Sequence, residues 1–184
     1  MTEPIRIQTP LSDEQILPLT AGDQCLINGV IYAARDAAHK RLIELLDAGE
    51  PLPVDLPGQI IYYVGPAPPK PGMPIGSAGP TTSGRMDRYT PPLLEAGLKG
   101  MIGKGYRNQD VRDAIVQHRA IYFAAIGGSG ALLARRIVKS RIVAFEDLGP
   151  EAIYELHVDD FPCFVVNDAH GNDLYESAPA HYRE

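Results

Sequence analysis

The 184-residue chain carries 17 basic and 23 acidic side chains, a net charge of −6, and 45% of its residues are hydrophobic. That balance disfavours a phosphate backbone or an anionic membrane as partner, and no apolar run approaches the roughly 20 residues of a membrane helix. Its two cysteines, Cys25 and Cys163, rule out a disulfide framework, a four-cysteine metal site or a thiolate-held iron–sulfur cluster within this chain alone.

Residues 1–15 lack the basic-then-apolar pattern of an export signal, so a cytoplasmic location is expected. Cys25–Tyr32 is a short apolar run interrupted by Asn28-Gly29, which predicts two strand pieces about a tight turn or bulge. From Ala34 the period becomes helical: Ala34, Ala37, Ala38, Leu42, Leu45 and Leu46 share one face, and Gly49 stops the helix. Arg35 and Asp36 therefore stand at a strand-to-helix junction. Gln59–Val64 predicts a strand. The proline-rich segment after it cannot be helical and is expected to be a long ordered loop.

Thr90-Pro91 reads as an N-cap and first helical residue, with Gly97 closing that helix. A strand at Gly100–Ile102 runs into Gly103-Lys104-Gly105. Asn108 caps a helix with Val111, Ala114, Ile115 and His118 on one face, and Ala120–Ile126 is a buried strand. Gly127-Gly128-Ser129-Gly130 opens a helix expected to run through Lys139. Arg141–Phe145, Ile153–Val158 and Phe161–Val166 read as strands, a turn follows, and residues 176–184 are expected to fray. Strands alternating with helices in the second half predict a single α/β domain with parallel pairing.

The densest chemistry lies in Gly79-Pro80-Thr81-Thr82-Ser83-Gly84-Arg85-Met86-Asp87. Glycines allow close backbone approach to a ligand. Amides and hydroxyls donate to anions, and an arginine fork grips a carboxylate at two points. The plainer alternative is a helix N-cap, where Thr and Ser are common anyway. Lys104 and Arg35 both follow predicted strands, where ligands gather in open α/β sheets. Together these cations and hydroxyls suit a small dicarboxylate. Gly127–Gly130 lacks the spacing of a nucleotide-binding loop, and close packing of the helix on a strand explains it better. The five histidines show no metal-ligand spacing, and the cysteines read as small buried residues. Asp159-Asp160 is either a carboxylate pair for catalysis or an ordinary strand entrance.

The stretch GPTTSGRMDRYTPPLLEAGLKGMIGKG closely resembles the C-terminal, or β-subunit, part of class I fumarases and L-tartrate dehydratases. ARDAAHKRL at 34–42, YFAAIGGSGALLARRI at 122–137 and VDDFPCFVVNDAHGNDLY at 158–175 agree with it, so the likeness spans about residues 10–175. Cys163 departs from the small residue, such as alanine, expected there. The resemblance implies a swivelling β/β/α domain. It also implies a partner α subunit whose three cysteines hold a [4Fe–4S] cluster, with one iron open as a Lewis acid for the substrate hydroxyl. Matched by motif, Arg35, Arg85 and Lys104 bind the substrate carboxylates, and Thr81 serves the proton transfer. A threonine is a poor base unaided, so Thr81 is either the base within a positive pocket or the group that positions one. The activity implied is reversible hydration of fumarate to L-malate. L-Tartrate dehydration and a non-catalytic dicarboxylate-binding module are the alternatives.

Overall fold

In the computed structural model, which describes residues 3–180, strand β2 (Gln24–Ala33) has three neighbours. Strand β1 (Ile5–Gln8) pairs in parallel with its first half and β3 (Ile60–Tyr62) in parallel with its end. Along its other edge runs β7 (Ile153–Asn167), antiparallel. From β3 the pairing continues in parallel to β4 (Gly100–Gly103) and β5 (Ile121–Ala124). Strand β5 then pairs antiparallel with β7, which closes β2, β3, β4, β5 and β7 into a ring. Strand β6 (Ile137–Ala144) hangs on the outer part of β7.

Side chains alternate across a strand, so each central strand feeds two cores. Ile60, Tyr62, Ile102, Ile121 and Phe123 point into the ring and meet Ile27, Ile31, Phe161 and Val165. Ile61, Tyr63, Met101 and Tyr122 point outward. There they meet Ala38 and Leu42 of α2 (Asp36–Asp47), Leu93 and Leu94 of α3 (Thr90–Glu95), and Val111 and Ile115 of α4 (Gln109–Gln117). This two-sided burial is why QIIYYV reads as an unbroken apolar run. Short helices α1 (Asp13–Ile16) and α5 (Gly130–Ala134) complete the body with α6 (Leu174–Ala180).

The α/β expectation holds, with corrections of detail. Asn28-Gly29 is a bulge within one continuous strand. Gly29 has φ +104°, and a Cβ there would stand 2.5 Å from Thr9 Oγ1. The parallel pairing expected through the second half stops at β5, because β6 and β7 are antiparallel. The helix expected through Lys139 ends at Ala134. Ile137, buried to 2% exposure, and its β-branched neighbour Val138 belong instead to β6. Ile153–Val158 and Phe161–Val166 form one strand that passes through Asp160 at φ +47°. Asn28 holds that kink: its Oδ1 accepts from Asp160 N at 2.9 Å, and its Nδ2 donates to Asp160 Oδ1 at 3.1 Å. Finally, Thr90 is the first helical residue and no cap. A 3₁₀ turn over Ser83–Tyr89 leads straight into α3, and Thr90 Oγ1 bonds back to Met86 O at 2.9 Å. Helix α6 extends into the tail expected to fray, and residues 181–184 lie outside the described residues.

Candidate functional site

Parallel strands β2, β3 and β4 end side by side, and the four residues singled out in the sequence all lie beyond those ends. Tyr63 N still donates to Ile102 O at 2.8 Å. Past that bond β3 and β4 part, and the long loop re-enters between them. Thr81 N donates to Tyr63 O at 2.7 Å, Lys104 N to Thr81 O at 3.2 Å, and Ser83 N to Lys104 O at 2.9 Å. Thr81 and Lys104 are thereby bonded backbone to backbone.

The loop is ordered by its own contacts, as expected. Ala67 N donates to Ser77 O at 2.9 Å, and Tyr62 Oη donates to Ala78 O at 2.6 Å. Gly130 of α5 packs on it so closely that a Cβ would stand 2.6 Å from Ser77 Oγ. Gly130 thus serves packing, against the loop and not against a strand, while Gly128 has open space around it and turns the chain at φ +82°.

Arg35 is the N-cap residue of α2. Its guanidinium lies flat on Gly65, where a Cβ would stand 2.7 Å from Cζ. One side of it meets Glu151, with Nη2 to Oε1 at 3.2 Å, while Nε is buried without a protein partner among the described residues. A buried donor left unpaired costs about 1–3 kcal/mol, so the position favours an added acceptor. Arg85 stands at 52% side-chain exposure on the 3₁₀ turn and meets Asp36, the first residue of α2. Its Nε donates to Asp36 Oδ1 at 3.1 Å. Its Nη2 lies 2.7 Å from Oδ2, a charge contact without hydrogen-bond geometry. Lys104 is exposed and makes no ion pair among the described residues, and its stem passes Gly127. Beside it a shallow cavity of about 290 Å³ is walled by Ala125, Phe164 and Val166.

Of the three consecutive hydroxyls, Ser83 is unavailable to a ligand. It is fully buried, with Oγ 2.8 Å from Tyr122 Oη, which donates onward to Gly105 O at 2.9 Å. Thr82 sits at the head of the 3₁₀ turn without a side-chain cap bond, so the N-cap alternative is met in position only. Thr81 is half-buried, and its hydroxyl has no protein partner among the described residues.

Sequence reasoning missed the layer underneath. Arg107, 5% exposed, donates to Asp87 Oδ1 at 2.7 Å, Thr90 Oγ1 at 2.6 Å and Tyr63 Oη at 3.3 Å. Asp87 Oδ2 also accepts from Asn108 N at 2.8 Å, which ties the turn to the start of α4. Nothing around Arg107 in the sequence signals burial, though Asp87 belonged to the motif. His39, one of the histidines without metal-ligand spacing, is fully buried. Its Nδ1 donates to Arg35 O at 2.8 Å, and burial lowers its pKa from 6.5 to about 4. Asp160 faces Arg6 and Asn28 at the bulge midway along β2, away from the strand ends that carry the site. Cys25 and Cys163 are free buried thiols opposite each other in the β2–β7 ladder. Burial pushes Cys25 up to about 12 and Cys163 well above the usual thiol range. Two such inward-facing thiols do not fit an iron–sulfur cluster. Among the described residues no group of three or more His, Cys, Asp or Glu is placed to hold a metal.

The fold and the site define an α/β domain that presents three cations and a free hydroxyl beyond the ends of adjacent parallel strands. The model of the fumarase C-terminus family matches residues 1–178, and the chain belongs to that family. It is 45% identical over 153 residues to the anaerobic class I fumarate hydratase of Escherichia coli, covering 82% of this chain and 28% of that enzyme. It is 40% identical over 169 residues to fumarate hydratase 2 of Leishmania major, covering 91% of this chain and 30% of that protein. The chain thus spans about three-tenths of the length of these relatives. A Methanocaldococcus jannaschii protein named "Putative L(+)-tartrate dehydratase subunit beta" is 38% identical over 172 residues, covering 90% of this chain and 88% of its own.

Proposed function

We propose that this chain is the β subunit of a two-polypeptide hydro-lyase that hydrates fumarate reversibly to L-malate. The observation that carries the reading is the gathering of Arg35, Thr81, Arg85 and Lys104 beyond the ends of β2, β3 and β4. On this reading the two arginines and Lys104 bind the two carboxylates of the substrate. One of those carboxylates gains enolate-like charge when the neighbouring carbon loses its proton, and fixed cations stabilise that charge. Thr81 stands at the proton-transfer position, and the surrounding positive charge favours its deprotonated form or that of a group it positions. An iron–sulfur cluster does not fit this chain's thiols and belongs, on this reading, to the partner polypeptide. The free buried thiols suit a reducing cytoplasm.

A second reading is favoured by one relative: the chain is 38% identical over 172 residues to the M. jannaschii protein named as a putative L(+)-tartrate dehydratase subunit beta. L-Tartrate dehydration would use the same cations, since tartrate is also a C4 dicarboxylate.

The test is co-expression with the cysteine-bearing partner under anaerobic conditions, followed by turnover of fumarate, L-malate and L-tartrate. Arg85→Lys keeps the charge but loses the two-point grip. It is expected to lower kcat/KM by about 10- to 100-fold on the preferred substrate. An unchanged kcat/KM would refute the role of Arg85. An assembled complex that binds dicarboxylates without turning any over would leave a binding module.

A further inference from the structure

A guanidinium has two edges that can each meet a carboxylate: the side edge, Nε with Nη2, and the end edge, Nη1 with Nη2. In Arg85 the side edge is taken. Nε donates to Asp36 Oδ1 at 3.1 Å, and Nη2 lies 2.7 Å from Oδ2. The end atom Nη1 has no protein partner among the described residues, and the side chain is half exposed. Asp36 itself is well placed to hold a direction. It is the first residue of α2, follows Arg35 directly, and its side chain is 28% exposed. The same helical turn is fixed from below by His39, whose Nδ1 donates to Arg35 O at 2.8 Å. One rigid turn therefore carries Arg35 and, through a carboxylate, aims Arg85.

We propose that Asp36 is a positioning residue: it holds the side edge of Arg85 so that the end edge faces the substrate carboxylate. The role rests on the dicarboxylate reading of the site. The opposite idea is that Asp36 is a placeholder, occupying Arg85 until substrate displaces it. The two ideas predict effects of opposite sign. A placeholder competes with substrate, so its loss tightens binding. A positioning group does not compete for the end edge, so its loss loosens binding and slows the reaction.

The experiment compares wild type, Asp36→Asn, Asp36→Glu, Arg85→Ala and the double variant Asp36→Asn with Arg85→Ala. All are assembled with the cysteine-bearing partner and assayed with fumarate. Asp36→Asn retains an oxygen acceptor but loses the charge. It is expected to lower kcat/KM about 10- to 100-fold, with KM raised and kcat lowered together. Asp36→Glu should restore part of the loss. In the Arg85→Ala background, Asp36→Asn should cost at most about twofold, because the group it aims is gone. Thermal unfolding separates these effects from simple destabilisation, and the exposed pair is expected to change stability little.

A lower KM in Asp36→Asn overturns the proposal in favour of the placeholder. Unchanged kinetics, or the same loss with and without Arg85, overturns it outright. A wild-type assembly that neither binds nor turns over any C4 dicarboxylate overturns the reading of the site, and the role with it. Wild-type turnover with an indifferent Asp36→Asn overturns the role alone.

Discussion

Thr81 and Arg85 face one way, and Ser83 and Asp87 face the other, although all four lie within seven consecutive residues. The outer pair belongs to an open layer. Thr81 has a hydroxyl without a protein partner among the described residues, and Arg85 is half exposed with one edge used. The inner pair belongs to a closed layer. Ser83 bonds to Tyr122, while Asp87 bonds to Arg107 and the Asn108 amide. Arg107 contrasts with Arg85 most clearly: buried, it spends donors on Asp87, Thr90 and Tyr63. The two arginines share one chemistry and differ in what is left to bind. Satisfied groups build the platform, and unsatisfied ones are left to offer the proposed ligand site.

Substitutions should divide along the same line. The largest effect is expected from Thr81→Ala. On the proposed function it lowers kcat for fumarate hydration by about 10²- to 10⁴-fold, the usual worth of proton transfer. Its melting temperature should stay near that of wild type, and near-normal kcat would remove Thr81 from the chemistry. Arg107→Leu is expected to do the reverse. Removing one partner of a buried ion pair strands the other and costs about 3–5 kcal/mol, read by urea unfolding of the chain.

His39 gives a pH signature of the closed layer. Its folded pKa of about 4 lies below the ordinary 6.5. Between those values the unfolded chain binds more protons, so stability is full above pH 6.5 and falls as pH drops toward 4. The loss reaches roughly 3 kcal/mol at 1.36 kcal/mol per pH unit. Urea unfolding of wild type and His39→Gln at pH 7 and pH 5 checks it, and the variant should show the flatter pH dependence. The smallest effect is expected from Ser83→Ala. It removes one buried hydrogen bond while Tyr122 keeps Gly105 O, so stability should fall by about 1 kcal/mol. A larger loss of activity than of stability would move Ser83 into the open layer.

The open layer was the legible one. Glycines, hydroxyls and cations stand together in GPTTSGR, and Arg35 and Lys104 follow strands whose apolar runs mark them. Helices α2 and α4 were legible for the same local reason. Periodicity sets their faces, and Asn108 Oδ1 accepts from Val111 N at 2.9 Å as an N-cap should. What was not legible depends on partners distant in sequence. Arg107 meets Asp87 across 20 residues and Tyr63 across 44, and no local pattern announces either. Ile137–Lys139 could extend a helix, but pairing with β7 makes them strand. The antiparallel return of β7 onto both β2 and β5 closes the ring, and a list of strands does not specify it.

The central claim is that this chain supplies the substrate-binding half of a shared hydro-lyase site. Its most direct test is to purify the chain and its cysteine-bearing partner separately under anaerobic conditions. Loss of fumarate and appearance of L-malate are then followed with each polypeptide alone and with both. The account predicts no turnover from either alone, turnover when they are mixed, and none when the mixed chain carries Thr81→Ala with Arg85→Lys. Full turnover by the partner alone, unchanged on adding this chain, would contradict it.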